Sequence, residues 1–176
     1  MTIETLTSPT TRTAPVGTDT ASPVRLLGMT CRNCGHTQPI ALAYVCPACF
    51  GPLEVTYDLA VVAATFSRES IARRAPGIWR YLELLPVDAA PARSLPVGST
   101  PLLNADRLAP TLGVERLWLK DDTRNPSLSF KDRAVAIAAA RAVEFGVPAL
   151  ACASTGNLAG ATAAAAAAIG IPAYVF

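Results

Sequence analysis

The chain has 176 residues, a formal charge of +2 from 15 basic and 13 acidic residues, and a 51% hydrophobic content in which alanine alone fills 33 positions. So small a net charge excludes a polybasic nucleic-acid or membrane surface. The longest apolar run, Leu158 to Ile169, is nearly all alanine and is too short to span a bilayer.

No basic segment followed by an apolar one opens the chain, so no secretory signal is expected and the protein is expected to be soluble and cytoplasmic. The five cysteines are then expected as metal ligands or buried thiols rather than disulfides. The basic residues are 13 Arg and only two Lys, Lys120 and Lys131, and the one His is His36. Chemistry that needs an amine nucleophile therefore has two side-chain candidates.

In chain order, residues 1–23 are rich in Thr, Ser and Pro without periodicity and read as a disordered leader. Residues 24–58 read as a small unit built on two cysteine pairs, with β-like runs at Leu26–Met29 and Leu53–Tyr57. Residues 59–97 read as a helical segment and linker. Helices are expected over Leu59–Phe66 and Ser67–Arg74, with Ser67 as an N-cap and Ser70 three residues on. Pro76-Gly77 breaks the pattern and Ile78–Leu85 resumes it. Pro86 to Pro101, with four prolines, reads as extended.

From residue 98 the texture changes. Strands are expected at Pro101–Leu103, Arg116–Lys120, Val147–Ala153 and Pro172–Phe176. Helices are expected at Ala105–Leu112, Phe130–Phe145 and Gly156–Ile169, ended by Gly113, Gly146 and Gly170. This alternation predicts an α/β fold with a parallel sheet and flanking helices. A chain that stops inside a strand reads as the N-terminal part of a longer protein.

Cys31-Arg-Asn-Cys34 and Cys46-Pro-Ala-Cys49 are two C-x2-C pairs separated by 11 residues. Each pair sets two thiolates on one side of a tight loop, and two such loops close a tetrahedron around zinc. Gly35 and Phe50-Gly51 follow the pairs, where the chain must turn back. With all four positions filled, the site is expected to be structural, and His36 is left as a surface residue. Residues 26–57 carry Arg32 as their single basic residue, too little for nucleic-acid binding.

Lys131 opens the helix at 130, the end where the helix dipole disfavours a cation by roughly 0.3–1 kcal/mol. That placement favours the neutral amine that attacks an aldehyde. The plainer reading is an ordinary lysine paired with Asp132. Lys120 ends a strand and precedes two carboxylates, Asp121 and Asp122, partners for a charged amine. Ala153-Ser154-Thr155-Gly156-Asn157 lies between a strand and a helix, where hydroxyls and free amides converge on an anion site or, more simply, cap the helix. Both loops follow strands at the sheet edge where open α/β sheets bind ligands.

Gly98-Ser-Thr-Pro-Leu102, Leu117-Trp-Leu-Lys-Asp121, Asn125-Pro-Ser-Leu-Ser-Phe-Lys-Asp-Arg133 and Ser154-Thr-Gly-Asn157 together resemble the fold-type II pyridoxal-phosphate enzymes, the tryptophan synthase β group. With the cysteine-rich N-terminus, SFKDR resembles the threonine synthase family within it. The resemblance implies a truncated fold-type II domain over residues 98–176, preceded by a zinc-ribbon-like unit. It implies conversion of O-phosphohomoserine and water to L-threonine and phosphate, by a protein of which this piece is inactive alone.

It further implies that Lys131 holds pyridoxal phosphate, that Phe130 buttresses its ring and that Asn157 meets the ring hydroxyl. Ser154, Thr155 and Gly156 would bind the substrate carboxylate, and Lys120 its phosphate. The partner implied is a small amino-acid phosphate, with a homodimer among the assemblies allowed in the longer protein. Cysteate synthase and threonine dehydratase share the cofactor class, and a zinc-ribbon binding module is the rival of another class. Three positions depart from the common pattern: Ser127 stands where Thr is common, Leu128 where many relatives have Gly, and Leu158 where Thr is common.

Overall fold

The computed structural model describes residues 24–176, so the expectation for residues 1–23 lies outside the described residues. Strands β1 (Leu26–Cys31), β2 (Thr37–Gln38) and β3 (Leu53–Tyr57) form an antiparallel sheet in the order β2-β1-β3. β1 pairs with β3 from Leu26↔Tyr57 to Cys31↔Leu53, with a bulge between Leu26 and Gly28. Gly28 takes φ 148°, and a Cβ there would lie 2.7 Å from the Gln38 carbonyl oxygen, so only glycine lets β2 approach.

Two short helices follow, as expected. α1 (Leu59–Thr65) is capped by Asp58, whose carboxylate accepts from the Ala60 and Val61 amides. α2 (Arg68–Ala72) starts in a capping box in which Ser67 and Ser70 each accept the other's backbone amide. The helix expected over 78–85 is instead a 3-10 segment, Ile78–Leu84, broken at Tyr81. The Arg74 guanidinium donates to the Arg80 carbonyl (2.8 Å) and to the Glu83 carboxylate (2.6 Å). It thereby takes an acceptor that an α-helix would use four residues on.

Residues 86–101 form neither helix nor strand, yet they are pinned. Arg25 donates to the carbonyls of Leu85 and Val87, Glu144 accepts the Asp88 amide, and Val87 and Val97 are buried.

β4 (Leu102–Asn104) and β5 (Trp118–Lys120) form a separate antiparallel pair, Leu102↔Lys120 to Asn104↔Trp118. This corrects the expectation of one parallel sheet for these strands. A parallel pair needs a full crossover helix. The helix expected at 105–112 is only a turn and a single 3-10 turn, Pro110–Leu112, ended by left-handed Gly113. Eight residues with a proline in the last turn nucleate a helix poorly.

The parallel expectation holds further on. α3 (Lys131–Glu144) leads to β6 (Leu150–Cys152), α4 (Asn157–Ile169) and β7 (Ala173–Val175), and β6 pairs parallel with β7. α3 packs on α4, and each buries small side chains, among them Ala136, Ala139 and Ala140 on α3 and Ala161, Thr162 and Ala166 on α4. Gly170 takes φ 82° and ends α4 in a left-handed cap. Among the described residues no helix is long and apolar enough to cross a membrane.

Candidate functional site

The four thiols of Cys31, Cys34, Cys46 and Cys49 lie within 4.8 Å of one another. Cys31 and Cys49 Sγ are 3.5 Å apart, and Cys34 and Cys46 Sγ 3.7 Å. Two sulfurs bound tetrahedrally to one zinc at about 2.3 Å stand roughly 3.8 Å apart. The cysteines are free and the spacing is that of ligands around a shared ion, so the donor set fits a metal. Equivalent turns close both pairs: Gly35 N donates to the Cys31 carbonyl and Phe50 N to the Cys46 carbonyl. Gly35 (φ 72°) and Phe50 (φ 58°) are both left-handed, so the second turn falls on Phe50 rather than Gly51.

Electrostatics at the cluster are unequal. The Cys34 amide, opposed by burial and helped by the Asn33 amide, lowers the Cys31 thiol to about 7. Cys49 is pushed up to about 12: the Gly51 amide favours its thiolate, but the Cys34 and Cys31 sulfurs and burial outweigh it. Four thiolates crowd together only around a cation. His36 is exposed and outside the cluster, and Cys152 sits apart in β6.

The loop from β5 to α3 is built on buried polar groups. Asn125 is 2% exposed; its Oδ1 accepts the Gly98 amide at 3.0 Å and its Nδ2 donates to the Asp122 carbonyl at 3.0 Å. Asp122 accepts from Arg133 Nε (2.9 Å), Arg133 Nη2 (2.7 Å) and the Thr100 hydroxyl (2.6 Å). The Arg133 hydrogen bonds, then that of Thr100, hold the Asp122 carboxyl well below the usual carboxylate range. Lys120 donates to the Thr100 carbonyl and forms no ion pair with Asp121 or Asp122. Asp121 instead caps the 3-10 turn Asp122–Arg124. Asn125, Arg133 and Thr100 stand in the sequence motifs with no role read for them, whereas Asp122, expected as a partner of the Lys120 amine, bonds Arg133 instead. The signal available was an Asn before Pro, a turn that needs its side chain satisfied.

Lys131 is the first residue of α3, and its Nζ lies 4.8 Å from the centroid of the Phe130 ring. The plainer reading, an ion pair with Asp132, is not what the structure shows: both Asp132 oxygens accept from Ser127. Among the described residues Lys131 makes no ion pair.

At α4 the cap is Gly156, with no side-chain hydrogen bond. Ser154 Oγ accepts the Gly156 amide at 3.3 Å, and the first helical bond is Gly160 N to the Gly156 carbonyl. The amides of 157–159 find no acceptor among the described residues, and a Cβ on Gly156 would meet nothing within 4 Å. Thr155 and Asn157 are exposed. This open helix start fits an anionic ligand. The structure thus joins Lys120 to the Thr100–Asp122–Arg133 network that leads into Lys131. It joins none of these to Ser154–Asn157 by a hydrogen bond. The carboxyl ends of α3 and α4 lie side by side, with Val143 and Ile169 bordering one surface depression with Pro91, Ala92 and Arg93.

Residues 93–176 match the family model described as pyridoxal-phosphate dependent enzyme. This segment belongs to that family. Over 136 residues the chain is 41% identical to a threonine synthase of Methanocaldococcus jannaschii, a match covering 76% of this chain and 33% of that protein. It is 38% identical over 146 residues to a threonine synthase of Methanosarcina acetivorans, covering 82% of this chain and 35% of the relative. A threonine synthase of Synechocystis is 43% identical over 97 residues, 54% of this chain and 25% of the relative. The chain spans about a third of the length of the first two. The feature that fits the family's cofactor is the Lys131 amine, in no ion pair among the described residues and beside an aromatic face.

Proposed function

We propose that this chain forms the cofactor-lysine portion of a threonine synthase, converting O-phosphohomoserine and water to L-threonine and phosphate. The observation that carries the reading is Lys131: an amine at a helix start, in no ion pair among the described residues, in a segment matching the pyridoxal-phosphate dependent family. The relatives named threonine synthase support threonine as the product. Pyridoxal phosphate, when bound, supplies an electron sink for charge developing at the substrate's α-carbon.

The chain's own residues do the rest. Lys131 would hold the cofactor covalently, and its amine, when free, would move a proton at the α-carbon. Phe130 would back the ring and Asn157 would donate to its hydroxyl. Ser154, Thr155, Gly156 and the open amides of α4 take the substrate carboxylate. Lys120 spends one donor on Thr100 and keeps two for the substrate's phosphate. The four cysteines hold a structural zinc that leaves no position for substrate.

The test uses the full-length protein. Lys131→Ala should abolish the visible absorbance of bound pyridoxal phosphate and threonine formation, whereas Lys120→Ala should keep the absorbance. Borohydride reduction and peptide mapping should place the pyridoxyl label on Lys131; a label on another lysine refutes the assignment.

A further inference from the structure

Asp132 follows Lys131 directly, yet it is 2% exposed and faces back along the loop. The Ser127 amide donates to its Oδ2 at 2.7 Å and the Ser127 hydroxyl to its Oδ1 at 2.6 Å. A buried carboxylate bonded on both oxygens is strongly held, because losing either partner leaves it short of the hydrogen bonds that offset its desolvation. The two bonds close the segment 127–132 into a ring. Leu128 N donates to the Asn125 carbonyl at 2.8 Å and Lys131 N to Ser129 Oγ at 3.2 Å, bracing the same ring from both sides. α3 has no side-chain cap at Phe130, so this ring, rather than a cap, determines where the helix starts.

Successive helix positions point in different directions. With Asp132 turned to Ser127, the Lys131 amine is left over the Phe130 ring with no carboxylate partner among the described residues. We infer that Ser127 and Asp132 form a positioning clamp for Lys131. The clamp fixes the backbone from which the amine reaches an aldehyde. It also keeps the nearest carboxylate in sequence from pairing with that amine. The inference rests on the reading of Lys131 as the cofactor lysine.

The experiment measures how fast the full-length protein, stripped of cofactor, takes up pyridoxal phosphate, followed by the rise in visible absorbance. Thermal midpoints are recorded alongside. Ser127→Ala should slow uptake roughly ten- to a hundredfold, the scale of a small misplacement of a reacting group, and should also lower the midpoint, because the buried Asp132 carboxylate loses one donor. Ser127→Thr, which keeps the hydroxyl, should restore the rate, and Asp132→Asn should slow it. Uptake by Ser127→Ala within about twofold of wild type overturns the clamp. So does a slowdown that Ser127→Thr leaves in place, or one that disappears when uptake is measured well below both midpoints. A wild-type protein that takes up no pyridoxal phosphate overturns the functional reading and the clamp with it; normal uptake by both wild type and Ser127→Ala overturns the clamp alone.

Discussion

Leu128 holds a left-handed backbone, φ 60°, which costs a residue with a Cβ about 1–2 kcal/mol. The Ser127–Asp132 ring and the Leu128–Asn125 bond impose it, and the side chain, 73% exposed, gains little packing in return. Leu128→Gly should therefore raise stability by up to about 1 kcal/mol, the relief of strain being partly offset by a more flexible unfolded chain. The midpoint of urea unfolding of the full-length protein measures this, and a lower midpoint would show that the side chain packs. Asp122 carries the pH prediction. Its folded-state pKa is depressed, so the contribution of the Arg133 pair is complete above the unfolded value near 3.9 and drains away as pH falls toward the folded value. Asp122→Asn should cost about 1–2 kcal/mol at pH 7, a modest figure because both side chains are partly exposed, and less at pH 3. Unfolding at the two pH values in low salt compares them; an equal loss at both would rule out the charge as its cause.

α4 packs against α3, β6 and β7, and its Ala161 is fully buried. So closed a position has no room for a longer side chain. Ala161→Leu should destabilise by roughly 1–3 kcal/mol through overpacking. Thermal unfolding reads the loss, and an unchanged midpoint would mean the helices separate easily. The same elements show what periodicity conveys. α3, β6, α4 and β7 stand within three residues of their expected bounds at each end because apolar spacing and the stops at Gly146 and Gly170 are local signals. The pairing of β4 with β5 is not local. Its direction depends on the connection between them failing to form a helix, and that rests on Pro110 and a short span.

The N-terminal sheet and the α/β segment are tied through Arg25, Glu144 and residues 85–97. Metal analysis should find one zinc per chain. A strong chelator should raise amide exchange across residues 24–58 well before α3 and α4, because so small a sheet depends on its ion. Two disulfides and no zinc would exclude the metal reading.

Sequence alone determined the elements whose signals are local: the helix capped by Ser67, the glycine stops, the paired C-x2-C turns and the lysine at a helix start. The motif around Lys131 is contiguous, so it is legible as a run in the sequence. What only the tertiary structure decided is which polar group each charge answers to. Asp132 follows Lys131 but bonds Ser127, Asp122 lies two residues beyond Lys120 but pairs with Arg133, and Lys120 itself meets a carbonyl. Adjacency in the chain does not set these partners. They follow from the direction each side chain leaves its turn or helix, and from the need of every buried carboxylate to find donors wherever the folded chain brings them.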